Sequence, residues 1–133
     1  MAAEPVWIQQ RVVINAHEES LAEHGGPSGI RDLGMLESAL ARAKNLFAYS
    51  ELEPSLTRLA AAYAFGITAN HPFVDGNKRT ALITSVTFLR LNGLRLTADR
   101  ADIYRMFYGL AAGSVGEDEM AAWFEKNTDS IGL

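Results

Sequence analysis

The sequence predicts an all-α fold, on three observations. No segment of useful length alternates apolar and polar residues with the period of two that a half-buried strand requires. Two stretches are almost free of charge: Ser55 to Asn70 carries only Arg58, and Thr80 to Leu91 carries only Arg90. Glycines and asparagines break the remainder into pieces of helical length, so the expected architecture is a compact single domain of about six helices with one short flap.

Taken in order, residues 7–24 place Val12, Val13, Ala16 and Leu21 opposite a polar face with Glu18, Glu19 and Glu23. Gly25-Gly26 would end this helix. Gly25 to Arg31 holds three glycines and Pro27 and reads as a loop. Asp32 is the expected N-cap of a helix reaching about Lys44, with Leu36, Ala39 and Leu40 inward. Asn45 to Ser50 is the least helical stretch and reads as the short extended flap. Helices follow over 55–70, 78–92, 99–111 and 116–126, with Gly93 and Gly113 near two of the stops. The 78–92 helix reads as the structural centre, since Leu82, Val86 and Leu89 form one stripe while Ile83, Phe88 and Leu91 cover other faces. The helix before it is rich in alanine and contains Gly66, which permits close backbone approach at a propensity cost of about 1 kcal/mol.

Bulk properties narrow the function. At 133 residues the chain is expected to form one domain over 1–133 and to bury roughly two-thirds of its unfolded surface. It has no cysteine, which removes disulfides, thiolate nucleophiles and thiolate zinc sites. A formal net charge of −4 and a pI near 5.3 argue against general nucleic-acid affinity. With no basic region leading into an apolar stretch and no long uncharged apolar run, the expected location is the cytoplasm, away from membranes.

Chemistry is concentrated in His71-Pro72-Phe73-Val74-Asp75-Gly76-Asn77-Lys78-Arg79-Thr80, between the two apolar segments. Asp75, Gly76 and Asn77 do not continue a helix comfortably, so the block is a connector that opens the second helix. A helix start offers unpaired N–H groups and a positive dipole end, which suits phosphate. His71 has an imidazole able to take a proton from a hydroxyl at neutral pH; its simpler role would be to cap carbonyls. Pro72 and Phe73 read as scaffold. Asp75 is either a hard oxygen ligand for magnesium or the N-cap of the next helix. Gly76 lets the backbone approach phosphate, and the Asn77 amide can donate to it. Lys78 and Arg79 oppose the helix dipole unless an anion is bound. His17 and His24 read as surface residues among acids. Trp7, Trp123, Tyr104, Phe107 and Phe124 read as packing aromatics, any of which only a pocket could promote to a nucleobase contact.

The block from His71 to Arg79 resembles the active-site motif of the Fic/Doc superfamily, most closely that of its Doc (death-on-curing) branch. His24-Gly25-Gly26 with Gly29-Ile30-Arg31-Asp32, the run Leu36 to Arg42, and Leu89 with Asn92-Gly93 are also Doc-like, so the resemblance covers about residues 7–126. It implies a helical enzyme in which His71 is the catalytic base, Asp75 binds Mg²⁺, and Gly76, Asn77, Lys78 and Arg79 hold the phosphates of ATP. It further implies a flap that docks a protein target of the translation machinery, such as elongation factor Tu.

Two departures from the wider Fic pattern bear on the reaction. AMP-transferring relatives have glycine at the position of Lys78 and a second arginine at that of Leu82. A lysine fills space that a pyrophosphate would use, which favours transfer of the γ-phosphate; AMP transfer is the alternative, and a non-catalytic nucleotide- or partner-binding module is a third. The self-inhibiting Ser/Thr-x-x-x-Glu-Gly/Asn helix of many Fic proteins is missing, Ser20 to Glu23 having the wrong spacing. Control is therefore expected in trans, from an antitoxin of the Phd kind.

Overall fold

The computed structural model describes residues 4–131. Among the described residues the order is α1 (Gln10–His24), α2 (Leu33–Tyr49), α3 (Leu56–Asn70), α4 (Asn77–Leu91), β1 (Leu94–Leu96), α5 (Arg100–Ala112), α6 (Glu117–Lys126) and β2 (Thr128–Ser130). The fold is all-α but for the small antiparallel pair, in which Leu94 faces Ser130 and Leu96 faces Thr128. Each strand has three residues, too few for an alternating pattern to register in the sequence.

Helix α3 is the hub, with α2, α4, α5 and α6 packed around it. Thr57, Leu59 to Ala64, Gly66 and Ile67 are buried, and the Ser55 side chain caps its start by accepting the Arg58 N–H. This corrects the expectation that the 78–92 helix is the centre. Alanines present little bulk in any direction, so α3 accepts neighbours on most of its circumference. The buried face of α4 is instead Asn77, Thr80, Ala81, Thr84, Ser85, Phe88 and Leu89, leaving Leu82 and Val86 partly exposed. Gly66 sets the distance between α2 and α3, because a Cβ there would lie 3.0 Å from the Ala39 carbonyl oxygen and 3.2 Å from its Cα.

The expected flap at Asn45 to Ser50 is also corrected, since α2 stays helical through Tyr49 and the Ser50 N–H still donates to the Leu46 carbonyl at 3.2 Å. Middling propensity is overridden here by packing: Leu46 and Phe47 lie against the core, and Phe47 meets Trp7 edge-on at 5.6 Å. Asp32 caps α2 as expected, accepting the Met35 N–H at 3.0 Å. At the centre, burial pushes the Tyr63 phenol up to about 12, while its oxygen accepts the Ile8 N–H. Between α5 and α6, Trp123 Nε1 donates to Asp102 at 2.7 Å; this bond first, and Arg105 second, hold the Asp102 carboxyl below its ordinary range. No helix among the described residues is long and apolar enough to cross a membrane.

The α2–α3 contact gives a direct test. Gly66→Leu should lower unfolding stability by about 1–3 kcal/mol or more in a urea titration, despite leucine's better helix propensity, because the side chain meets backbone that cannot move aside.

Candidate active site

The connector between α3 and α4 is held from every side. Its anchor is Phe73, which is fully buried. The side chain of Asn77 clasps that residue's backbone, accepting the Phe73 N–H and donating to the Phe73 carbonyl, both at 3.0 Å. His17 of α1 stacks on the Phe73 ring with centroids 3.8 Å apart, and its Nε2 lies 2.7 Å from the Asp75 carbonyl oxygen. Opposite, the extended stretch before α2 pairs with the connector: Arg31 and Asp32 N–H donate to the Pro72 carbonyl, and Val74 N–H donates to Gly29.

His71 ends α3 in the left-handed region, at φ 49° and ψ 55°, and is the only non-glycine residue with positive φ among those described. That conformation turns the chain sharply and carries some strain. Arg31 stabilises the turn, since its Nε donates to the His71 carbonyl at 2.7 Å and its Nη2 to that of Asn70 at 2.9 Å. Its cation thus sits at the negative end of α3. The His71 imidazole stays exposed.

A cleft of about 680 Å³ opens above the connector, with His24, Gly25 and Gly26 on one side and α5 on the other. All the expected site residues border it: His71, Asp75, Gly76, Asn77, Lys78 and Arg79. Gly76, at φ 80°, is the N-cap of α4, so Asp75 is not the cap and its carboxylate has no hydrogen-bond partner among the described residues. Gly26 makes room for it: a Cβ there would lie 2.5 Å from Asp75 Oδ2, and φ at Gly26 is +115°.

The first intrahelical bond of α4 runs from the Thr80 N–H to the Gly76 carbonyl, and the N–H groups of Asn77, Lys78 and Arg79 have no backbone partner among the described residues. Because the Asn77 amide is engaged by Phe73, what this residue offers the cleft is its backbone N–H. Neither Lys78 nor Arg79 forms an ion pair among the described residues. Lys78 Nζ rests 5.1 Å from the Tyr108 ring centre, and Arg79 Nη1 lies 3.4 Å from Ser20 Oγ. Two cations and three free N–H groups thus converge at the positive end of a helix, an arrangement matched by a bound polyanion. Residues 7–89 match the Fic/DOC family.

The chain belongs to the Fic/DOC family. This Fic/DOC protein is 31% identical to the protein kinase doc of Escherichia phage P1 over 114 residues, 86% of this chain and 89% of that relative. It is 43% identical to the toxin Doc of Mycolicibacterium smegmatis over 75 residues, 56% of this chain and 58% of that relative. These likenesses place it in the Doc branch, as the motif implied.

Two expectations change. His17 is buried, not a surface residue, and fixes the connector; its place four residues after Val13 on the apolar stripe of α1 was the available signal. His24 is exposed, as expected, and borders the cleft. Tyr104 is not a packing residue but an exposed one on the cleft wall, whereas Phe107, Trp123 and Phe124 are buried as expected. The role of Arg31 could not be inferred from its type or spacing. Among the described residues no three His, Asp or Glu gather as a protein-built metal cage. A lone free carboxylate beside an anion site fits magnesium carried by nucleotide phosphates, which asks the protein for only one or two carboxylates.

Removing the clasp tests the scaffold. Asn77→Ala leaves a buried N–H and carbonyl of Phe73 without partners and should cost about 1–3 kcal/mol for each group left unsatisfied, read as a lower unfolding midpoint.

Proposed function

We propose that this protein is a cytoplasmic Doc-type toxin that transfers the γ-phosphate of ATP to a hydroxyl of a protein target, elongation factor Tu, and so arrests translation. The observation that carries the reading is the pair of cations, Lys78 and Arg79, without ion-pair partners among the described residues, at the free N–H groups of α4 beside the exposed His71 imidazole. The name of the phage relative, a protein kinase, supports phosphoryl transfer. So does Lys78, in the place where AMP-transferring relatives have glycine.

In this mechanism the N–H groups of Asn77, Lys78 and Arg79, with the two side chains, grip the phosphates and stabilise charge as it moves. Gly76 lets the backbone come close. The acceptor hydroxyl gives its proton to the imidazole of His71 as its oxygen bonds to the γ-phosphorus. The bond from that phosphorus to the β–γ bridging oxygen breaks, and ADP leaves with the electron pair. Asp75 would hold Mg²⁺, which would supply charge neutralisation at the phosphates. The strained turn and the Arg31 cap fix the backbone from which the imidazole projects, so that positioning does much of the work. An antitoxin of the Phd kind, acting in trans, would restrain the enzyme in the cell.

Incubation of the protein with target and ATP, labelled separately at the α- and γ-phosphorus, tests the reading. Only γ-label should appear on the target, and His71→Ala should reduce transfer by about 10²- to 10⁴-fold with an unchanged melting temperature. Transfer of α-label would make the protein an AMP transferase, and no transfer of either would leave a binding module. In cells, expression alone should arrest growth, and co-expression of the antitoxin should restore it.

A further inference from the structure

We propose that His17, a residue outside the motif, is a positioning residue for the anion site: it locks the orientation of the peptide between Asp75 and Gly76, so that the Gly76 N–H faces the phosphates. This rests on the polyanion reading above and adds to it a determinant from α1.

His17 is 2% exposed, its ring lies on that of Phe73 with planes 13° apart, and its Nε2 is 2.7 Å from the Asp75 carbonyl oxygen. A carbonyl only accepts, so the proton of that bond is carried by Nε2. In a planar trans peptide the C=O and the following N–H point in opposite directions, and the Gly76 N–H is therefore aimed away from the buried ring. It has no hydrogen-bond partner among the described residues, and Gly76 borders the cleft. With Asn77, Lys78 and Arg79 it completes a run of four consecutive free N–H groups, the kind of backbone nest that holds anions.

Nothing in Gly76 itself selects this orientation. Its φ of 80° and ψ of 19° match the third residue of a type II turn, and turning the 75–76 peptide over gives the type I form, in which that residue has negative φ. Glycine adopts either sign of φ about as readily, so the two forms compete in this short connector. The inverted form is unsuited to the ligand, because the Asp75 carbonyl oxygen would face the polyanion and the N–H would be withdrawn from it. His17 decides between them, since its donor holds the carbonyl on the buried side. The imidazole also lies against the glycine: a Cβ at Gly76 would be 3.6 Å from both Nε2 and Cδ2 of His17.

Amide NMR with magnesium tripolyphosphate as the probe tests the lock on the wild type, on His17→Phe, which keeps a flat ring without the donor, and on His17→Gln, whose Nε2 restores one. In the wild type the His17 Nε2 proton should be observed and protected from exchange, and the Gly76 N–H resonance should move with those of Lys78 and Arg79 as the probe binds. In His17→Phe the Lys78 and Arg79 resonances should still respond, the Gly76 response should be lost, and affinity should fall about tenfold or more, the worth of one hydrogen bond to a charged group. His17→Gln should recover both. A wild-type His17 ring protonated on Nδ1 alone overturns the lock with no variant needed, and so does a Gly76 N–H that stays silent while Lys78 and Arg79 respond. Wild-type affinity in a folded His17→Phe overturns it too, as does a loss that His17→Gln fails to recover, because the ring would then act by packing alone. If the wild type binds no tripolyphosphate, the polyanion reading falls and takes the lock with it, an outcome distinct from those that remove the lock alone.

Discussion

The candidate active site depends on the burial of one side chain, that of Phe73, in the middle of an otherwise polar connector. A six-residue connector between two helices, His71 to Gly76, would normally wander. Here the apolar ring enters the core, the Asn77 amide satisfies the backbone polar groups that go in with it, and His17 covers the ring while reaching the Asp75 carbonyl. Burying a peptide unit is tolerable only when its N–H and carbonyl are paired, so the clasp and the ring act as one device. Everything else in the connector is placed relative to it: His71 two residues before, Asp75 two after, and the start of α4 just beyond.

That anchor needs a rigid base, which α3 provides. Its alanines and Gly66 let α2 come within backbone contact, and the extended stretch leading into α2 then runs beside the connector. Arg31 joins the two by donating to the last carbonyls of α3, where its charge also suits the helix dipole. The left-handed turn at His71 is held by neighbours on both sides, as a strained residue has to be.

The electrostatics run in the opposite direction. Lys78 and Arg79 lie at the end of α4 where cations are disfavoured, and no acid among the described residues answers them. The fold accepts this local cost at the mouth of a cleft, next to an unengaged carboxylate. Stability is conceded at a place suited to a ligand of opposite charge.

How much of this was legible in the sequence follows from the range of the interactions. Most of the helices, the cap at Asp32, the stop at Gly113 and the site block itself depend on residues within one or two turns of each other, and the sequence determined them. The Doc-like motif identified the family for the same reason, being a contiguous string. What failed in the reading depended on distant partners: Asn45 to Tyr49 is helical because Trp7 and the core receive Phe47 and Leu46, and α3 is the hub because four other helices use its small side chains. Arg31 and His17 likewise acquire their roles from distant residues, His71 and Asp75, which lie 40 and 58 positions away. Local propensity and motif are written along the chain, whereas burial and long-range pairing exist only once the chain has folded. Only the tertiary structure could therefore decide which side chains hold the site and which face it.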